Sequence, residues 1–531
     1  MKIISSLKSI LEKGFKRFLF PLIWLFLTFA STVCLIFELP DEFFAYFTLS
    51  LVLSVFLSLF CVLLSERFKH KRLFYFCLQA IPLVSAVLFY FLLKSEDLYC
   101  ALAYIGLLVS AIIACIILLF GENNRHTLIP HIIKSIVMSN LLAVIVFGGL
   151  MICLAAVNYL IVELDIFDKL TLTVVSLSFI AVFGGFFICS LPEFNSELSI
   201  PKAFRVIFLY AAFPIYILLL AVLYIYFGKI IVTWSIPGGQ LNWFASFAEV
   251  FFILFHFTIL QYDNRITSLW KKIGGYLILP VILFQAIAIY IRISAYGLTT
   301  SRWVSILLSL VATVFVILSL IKEGKYRNAS LYVLLGVILI STLTPLSFID
   351  VPVLEQNARF ESLLLHNGMK KGDAIVANAD IPDEEKDAIL SSFDYLRYSD
   401  SRFVPEYIKD INVAELKDIF GFDEDTQRID YTYISYHSND YGEKVIDTSK
   451  YSGFIEVNNG YDGSFAVYIL GKEYDLTDKL GNYETSPEGS YICVSCDDVD
   501  FYISHLTYSY YEKEGKKIYR YVSLSGYAFL Y

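Results

Sequence analysis

Two ionisable side chains lie within one long apolar stretch of this 531-residue chain. Glu249 and His256 are two helical turns apart in "NWFASFAEVFFILFHFTILQYDNR", so they share one face of a helix. A charge at the centre of a bilayer costs about 2.5–3.5 kcal/mol on insertion scales, which makes such groups functional candidates. The pair could relay protons or bind a cation. Alternatively, Glu249 is neutral or paired with a neighbouring helix and His256 hydrogen-bonds locally, and we favour this alternative.

A second polar group surrounds the turn "YIRISAYGLTTSRW". Gly297 can adopt the left-handed conformation that ends a helix, and Thr299 or Thr300 can cap the next one. Arg292 and Arg302 flank the turn. They could hold an anionic lipid headgroup or a sugar phosphate, or they could dock acidic segments of the same chain. We favour docking.

Long apolar segments must position these groups. Hydrophobic residues make up 57% of the chain and charged residues only 17%, against about 25% in soluble domains. A bilayer core about 30 Å thick requires about 20 apolar residues per helix. The predicted fold class is therefore an α-helical polytopic membrane protein with about eleven transmembrane helices and a C-terminal extracytoplasmic α+β domain. The predicted spans are 18–38, 43–64, 73–93, 99–120, 136–160, 170–191, 206–228, 241–261, 273–292, 303–321 and 329–348.

The distribution of Lys and Arg orients these spans. With a cytoplasmic N-terminus, the inner segments hold 19 Lys and Arg and the outer loops hold 5. Cytoplasmic loops of membrane proteins carry such an excess. Because the number of predicted spans is odd, the C-terminal domain is expected outside the cytoplasm, in a multi-pass protein of the cell membrane.

Charge and periodicity divide the chain into three predicted parts. Residues 1–17 place apolar and basic side chains on opposite faces, which predicts a cytoplasmic amphipathic helix at the membrane interface. Residues 18–349 form the transmembrane helical domain, and residues 350–531 form the acidic extracytoplasmic domain. The net charge is +7 over residues 1–350 and −16 over the remainder. Since phosphate binding requires basic surfaces, this acidic tail excludes nucleic acid as a partner.

The tail has helical patterns at 383–397 and 403–420 and alternating, Tyr-rich stretches from about 429 onward, which predict antiparallel strands. Acids cluster at 423–425 and at Asp497, Asp498 and Asp500, without the spacing of an EF-hand. Cys493 and Cys496 form a lone C-x-x-C that lacks the second half of a zinc site. We therefore assign no metal site and no cofactor to these residues. Whether the tail binds calcium or a sugar, and whether Cys493 and Cys496 form a disulfide, is left open.

The turn carries a resemblance to a known family. Arg292, near the end of "LPVILFQAIAIYIRI", together with the run Tyr296-Gly297-Leu298-Thr299 and Arg302, resembles the signature turn of the bacterial membrane family catalogued as domain of unknown function 4153. Tail segments such as "AILSSFDYLRY", "LKDIFGF" and "YDLTDKLGNY" are similar to those that follow the last span in some members. The likeness covers roughly 240–531. It implies a bacterial inner-membrane protein and no catalytic residue, because members have no assigned activity.

Three functions remain. The first is a non-enzymatic protein of the cell envelope that binds or transports a small or lipidic ligand, with the tail as an accessory or sensor domain. Its expected partners are the lipid bilayer and, as ligands, an anionic lipid or an envelope saccharide. The second is a membrane-embedded glycosyltransferase or lipid-modifying enzyme acting on the outer side, for which Glu38, Asp41 and Glu42 would supply carboxylates. The third is an envelope scaffold.

Overall fold

The fold is described from a computed structural model of the chain. It describes residues 2–39, 41–68, 72–162, 164–233, 240–321, 327–372, 374–411, 416–422, 432–437, 450–458, 465–469, 472–480, 491–496, 498–513 and 516–531. Helices dominate up to residue 420 and strands dominate beyond it. This order agrees with the predicted fold class.

The helical region consists of sixteen α-helices up to residue 366, within the described ranges. They are α1 Lys2–Arg17, α2 Leu19–Ile36, α3 Asp41–Phe68, α4 Arg72–Leu78, α5 Ala80–Lys94, α6 Leu98–Leu119, α7 Leu128–Ala156, α8 Phe167–Ser176, α9 Phe183–Cys189, α10 Lys202–Arg205, α11 Phe213–Thr233, α12 Gln240–Thr258, α13 Arg265–Tyr296, α14 Thr300–Leu320, α15 Ser330–Leu343 and α16 Asp350–His366. Short π-helical turns, Val157–Ile161, Leu177–Val182 and Val206–Ala212, extend α7 and join α8 to α9 and α10 to α11.

Ten helical segments of the described chain are long and apolar enough to cross a membrane. They overlap the first ten predicted spans one for one, so the chain is a multi-pass membrane protein. The eleventh predicted span, 329–348, corresponds to α15, an apolar helix of only 14 residues. Because α15 ends at Leu343 and Thr344 is already extended, the last predicted span is shorter than the sequence pattern indicates.

α3 is a central helix of the first half, since it packs against α2, α5 and α6. Its buried face carries small hydroxyl side chains. Ser54 Oγ donates to the Pro82 carbonyl at 3.0 Å, and Ser58 Oγ donates to Gln79 Oε1 at 2.7 Å. Small residues let helix backbones approach closely in a bilayer, where apolar burial alone provides little attraction between helices. The serines of α3 therefore fix the interface with α5.

The amphipathic helix α1 packs against α9. At its end, Arg17 makes two hydrogen bonds of 2.7 Å to the Glu66 carboxylate and donates to the carbonyls of Leu191 and Pro192 at 2.7 and 3.0 Å. A bidentate Arg–carboxylate pair is directional and stronger than a single contact. Arg17 thus ties the N-terminal helix to α3 and to the chain that follows α9.

The chain forms two compact units, residues 1–367 with 391–411 and residues 368–390 with 412–531. The first unit contains all the apolar helices and α16. It also contains part of α17 Asp383–Arg397 and all of α18 Glu406–Lys409. The helix predicted at 383–397 matches α17, whereas the pattern at 403–420 corresponds to α18 and to a separate α19 Leu416–Phe420 in the second unit.

The second unit is built on an antiparallel sheet. Its strands are β3 Thr432–His437, β4 Gly453–Asn458, β7 Ile492–Cys496, β8 Val499–Lys513 and β9 Lys516–Leu530, where β8 pairs with β3, β7 and β9, and β9 also pairs with β4. Two hairpins, β1 Lys370–Lys371 with β2 Ala374–Ile375 and β5 Ala466–Ile469 with β6 Lys472–Asp475, and the short α20 Thr477–Leu480 complete its elements. Alternate residues such as Phe501, Ile503, Val522 and Leu524 are buried. The predicted period-two pattern therefore forms a one-sided core.

We expect Gly106→Ala to destabilise the first unit, because a Cβ at Gly106 in α6 would overlap the Thr342 side chain of α15. Overpacking of this kind costs about 1–3 kcal/mol. Gly336→Ala on α15 is the matched control, since nothing lies near its added Cβ. Thermal unfolding in detergent should show a lower midpoint for Gly106→Ala and an unchanged or higher one for Gly336→Ala. Equal midpoints would contradict the close packing of α6 and α15.

Candidate functional site

A line of polar side chains, half-buried or buried, follows one face of α12. Asn242, Ser246 and Glu249 are spaced at one and two helical turns, so they face the same neighbours. Asn242 Nδ2 donates to Ser305 Oγ on α14 at 2.7 Å. Gln285 Nε2 on α13 donates to Asn242 Oδ1 at 3.0 Å and to Ser246 Oγ at 2.9 Å. With Ser309 on α14, these residues form what we call the polar seam: Asn242, Ser246, Glu249, Gln285, Ser305 and Ser309.

Glu249 is the carboxylate of the polar seam. It is 0% exposed, and its two carboxyl oxygens accept hydrogen bonds from Ser309 Oγ at 3.0 and 3.2 Å. Among the described residues, no Lys, Arg or His forms an ion pair with it. Burying a carboxyl group is costly unless it is paired or hydrogen-bonded. Hydrogen bonds from a single hydroxyl offset only a small part of the free-energy cost of burying a carboxyl group inside a candidate span.

The side-chain amide of Gln285 is only partly hydrogen-bonded within the seam. The side chain is 0% exposed, and its Oε1 has no hydrogen-bond partner within the described part of the chain. An unsatisfied buried acceptor costs about 1–3 kcal/mol, so native structures usually supply a water or ligand donor at such a place. The seam can therefore accept one more hydrogen bond.

His256 lies in aromatic surroundings. Its ring centroid is 4.3 Å from that of Phe252, 5.6 Å from that of Trp270 and 5.7 Å from that of Phe315. Phe315 and Ser309 are both on α14, so the face that Glu249 and His256 share is turned toward α14. Both interpretations of the pair, the relay or cation site and the favoured one of a neutral or paired Glu249 with a locally hydrogen-bonded His256, stay predictions.

Gly297 ends α13 in a conformation that differs from the expected left-handed cap. Its φ is +70° and its ψ is 179°, a combination that essentially only glycine adopts. Gln356 of α16 explains the difference, because its Nε2 donates to the carbonyls of Tyr296 and Leu298, both at 3.1 Å. The extended ψ presents these two carbonyls to one amide. A Cβ at Gly297 would overlap the Gln356 side chain.

Charged residues also hold the turn. Arg302 Nη1 donates to the Gly297 carbonyl, and Glu355 Oε2 accepts from the Leu298 N–H at 2.6 Å. Arg359 donates to the carbonyls of Ser294 at 3.1 Å and Ala295 at 2.7 Å. The last carbonyls of a helix lack intrahelical partners and form the negative end of its dipole, which cations stabilise. α16 thus docks on the turn.

The other residues of the turn contribute unequally. Arg292 makes no hydrogen bond or ion pair with any described residue. Thr299 precedes α14 but forms no side-chain cap. Instead, the Thr300 N–H donates to Tyr395 Oη at 3.2 Å. Tyr395 lies 95 residues further along the chain, so no local sequence pattern predicts this partner.

A buried carboxylate that sequence reasoning missed lies at the start of α16. Asp350 is 0% exposed, and its Oδ1 accepts from Tyr99 Oη at 2.5 Å and from Ser401 Oγ at 2.8 Å. Its Oδ2 accepts from Arg402 Nη2 at 3.3 Å, and the Arg402 guanidinium lies 4.5 Å from the centroid of the Tyr99 ring. Because its partners are far apart in the chain, no spacing predicts this cluster. It ties α6, α16 and the segment after α17 together.

The acids of the second unit are engaged by neighbours. Asp498 pairs with Lys472 Nζ at 2.7 Å, and Asp500 accepts from Tyr451 Oη at 2.5 Å and Tyr531 Oη at 2.7 Å. No group of three or more His, Cys, Asp or Glu suited to a metal occurs among the described residues. The acids at 423–425 and Asp497 lie outside those residues. Calcium binding stays untested there.

The two cysteines of the tail are both free. They lie on β7, where Cys493 is opposite Tyr502 and Cys496 is opposite Val499 of β8. Residues three apart on a strand point to opposite faces, so their sulfurs cannot meet.

The role of the arginines at the turn can be tested by comparing two of them. Arg359→Ala removes donors from the carbonyl end of α13 and should lower the free energy of unfolding by about 1–3 kcal/mol. Arg292→Ala removes a basic residue without described contacts and should change it by less than about 0.5 kcal/mol. Thermal unfolding of the full chain in detergent measures both. A larger loss for Arg292→Ala than for Arg359→Ala would contradict the assignment of Arg359 as an arginine that holds the turn.

Asp500 should make the second unit sensitive to acid. Burial by itself would raise the pKa of this carboxyl, but hydrogen bonds, those from Tyr451 and Tyr531 among them, and the nearby Lys450 ammonium outweigh burial and hold the pKa below its usual range. A lowered folded-state pKa contributes stability above the ordinary Asp pKa of about 3.9, and this stability is lost as the pH falls below that value. Asp500→Asn should therefore show a weaker loss of stability between about pH 5 and pH 3.

Denaturant unfolding of the full chain, followed by near-ultraviolet circular dichroism, measures this dependence. Tyr451→Phe keeps the ring beside Phe529 and removes one hydrogen-bond donor to Asp500. The slope of its unfolding free energy against pH should therefore lie between those of the wild type and Asp500→Asn. An Asp500→Asn slope equal to that of the wild type would contradict the assignment.

The comparisons with known proteins give one match. The family model described as Domain of unknown function (DUF4153) matches residues 25–364, from within α2 to within α16. This range starts earlier than the resemblance noted from the turn, and it stops before the β-sheet. The comparisons with curated proteins and with solved structures find no match. Since the match covers more than half of the chain and includes the Tyr-Gly-Leu-Thr turn, the chain belongs to the family described as Domain of unknown function (DUF4153).

Proposed function

We propose that this integral membrane protein binds or transports a small or lipidic ligand, with the polar seam as the place where the ligand or a coupling proton or cation is held. The C-terminal unit acts as an accessory or sensor domain. The excess of Lys and Arg in alternate loops supports a cytoplasmic N-terminus and an extracytoplasmic C-terminal unit. The family resemblance supports the bacterial inner membrane.

One observation carries the proposal. The carboxyl group of Glu249 is fully buried in a candidate span, and its only hydrogen-bond donor among the described residues is the Ser309 hydroxyl. A residue that only stabilised the bundle would gain more from an apolar side chain of similar size. Intramembrane carboxyl groups that are retained at such a cost commonly handle protons or ions.

The rest of the seam gives the ligand a polar environment. Asn242, Ser246 and Gln285 form hydrogen bonds across three helices, and Gln285 Oε1 still lacks a donor. A hydroxyl or ammonium group of a ligand, or a water that accompanies an ion, supplies that donor.

Glu249→Gln tests the proposal in proteoliposomes. Two probes cover the alternatives: proton entry, measured with a trapped pH-sensitive dye under an imposed potassium diffusion potential, and translocation of a fluorescent phosphatidylglycerol, measured by dithionite quenching. We expect the wild-type protein to move at least one probe and Glu249→Gln to slow it by about tenfold or more, equivalent to about 1.4 kcal/mol in the barrier. An amide cannot release a proton or balance a cation.

Glu96→Gln is the matched control. Glu96 lies outside the seam, beside the end of α5, and accepts from Tyr46 Oη at 2.6 Å. Its variant should transport like the wild type. The proposal fails if the wild-type protein moves neither probe above empty liposomes, or if Glu249→Gln and Glu96→Gln behave alike.

A further inference from the structure

A cavity of about 370 Å³ opens at the end of the bundle where α3 and α6 end and α15 begins. This volume is at the lower end of the range for ligand pockets and suits one headgroup or a small anion. Its wall combines two arginines, one exposed carboxylate, amide side chains and aromatic rings. The residues used below are Arg67, Arg125, Glu122, Asn195, Asn328 and Phe194.

Arg67 is held in position for a ligand. Its Nη1 donates to the carbonyls of Ile117 at 2.9 Å and Leu118 at 3.1 Å, and its guanidinium lies 4.7 Å from the centroid of the Phe194 ring. Its Nη2 and Nε make no hydrogen bond to any described residue. A guanidinium fixed along one edge and one face therefore presents its remaining donors with little loss of side-chain entropy.

The part of the wall around Asn195 is also fixed by hydrogen bonds. Asn195 adopts a positive φ of 58°, and its Oδ1 accepts from the Asn123 N–H at 2.8 Å. Asn123 Nδ2 donates in return to the Asn195 carbonyl at 3.3 Å. These bonds join the segment after α9 to the segment after α6. The two segments meet beside the end of α6.

The third wall lies just before α15. Asn328 Oδ1 is buried there without a hydrogen-bond partner among the described residues. A buried amide oxygen in a cavity wall indicates a missing donor, such as a hydroxyl group of a ligand. The cavity therefore combines cationic donors with a buried acceptor that lacks a donor among the described residues.

We propose that this cavity binds a phosphate group, carried by a lipid headgroup or free in solution. The donors of an arginine fork match phosphate oxygens, and Arg67 keeps Nη2 and Nε available at the cavity wall. The Asn328 acceptor suits a hydroxyl beside the phosphate, as in a glycerol headgroup. Basic pockets between membrane helices are a recurrent way of holding anionic headgroups. The site is separate from the polar seam, so it does not depend on the function proposed for Glu249.

Isothermal titration calorimetry of the full chain in a neutral detergent tests the proposal. The probes are inorganic phosphate, a short-chain phosphatidylglycerol and the matching diacylglycerol, which lacks phosphate. We expect binding of phosphatidylglycerol, of inorganic phosphate or of both, and none of diacylglycerol. Binding of inorganic phosphate alone identifies a free phosphate as the source, and binding of phosphatidylglycerol alone identifies a lipid.

Two variants locate the site. Arg125→Gln removes one of the two arginines that line the cavity and should weaken binding by about tenfold, equivalent to about 1.4 kcal/mol. Ala329→Phe keeps both arginines and fills the cavity, because Ala329 lines it, and should abolish binding. We avoid Arg67 variants because Arg67 also caps α6. Arg205→Gln is the matched control, since Arg205 is an exposed arginine outside the cavity that lies over the Tyr262 ring.

Thermal unfolding of each variant verifies that the bundle is intact. The proposal is overturned if neither phosphate-containing probe binds, or if diacylglycerol binds as well as phosphatidylglycerol. It is also overturned if Arg125→Gln and Ala329→Phe bind like Arg205→Gln.

Discussion

Unpaired carbonyl groups at helix ends are the constraint on which this structure depends. The last carbonyls of each helix have no intrahelical donor, and within or beside a membrane water is a poor substitute. In this protein arginine side chains supply donors at two helix ends and at the chain that follows a third helix. Arg17 serves the chain after α9, Arg67 serves the end of α6, and Arg359 with Arg302 serves the end of α13. Each of these arginines comes from a different element, so satisfying a helix end also joins two parts of the bundle.

This capping explains why the two arginine sites differ in what they can bind. At the α13–α14 turn, Glu355, Gln356 and Arg359 of α16 occupy both the carbonyls and the Leu298 N–H. The turn is therefore filled by the chain itself. At Arg67 the carbonyls occupy only one nitrogen, and a cavity remains beside it. Hydrogen bonding to helix-end carbonyls therefore leaves guanidinium donors available at Arg67, whereas at the α13–α14 turn the polar groups are already paired within the chain.

The polar seam is held by hydrogen bonds between side chains and not by donors to helix-end carbonyls. Its hydrogen bonds cross α12, α13 and α14 where the surrounding side chains are apolar and aromatic, as around His256. Asn242, Ser246 and Glu249 could have been grouped from their spacing, since they recur at helical intervals in one apolar stretch. Gln285 stands alone among apolar residues, and only the packing of α13 against α12 assigns its partners. A lone polar residue in a span indicates that a partner exists without indicating which one.

The sequence by itself determined the membrane-spanning character of this protein and the approximate position of each apolar helix, because lipid imposes a length and a hydropathy on every span regardless of its neighbours. It also determined the helix at 383–397 and the strands of the tail, since local periodicity encodes them. Only the tertiary structure decided the conformation of Gly297, the partners of Asp350 and the cavity beside Arg67. These depend on side chains distant in the chain, Gln356 against Gly297 and Tyr99 with Arg402 around Asp350, and no local pattern records which distant segment will pack there.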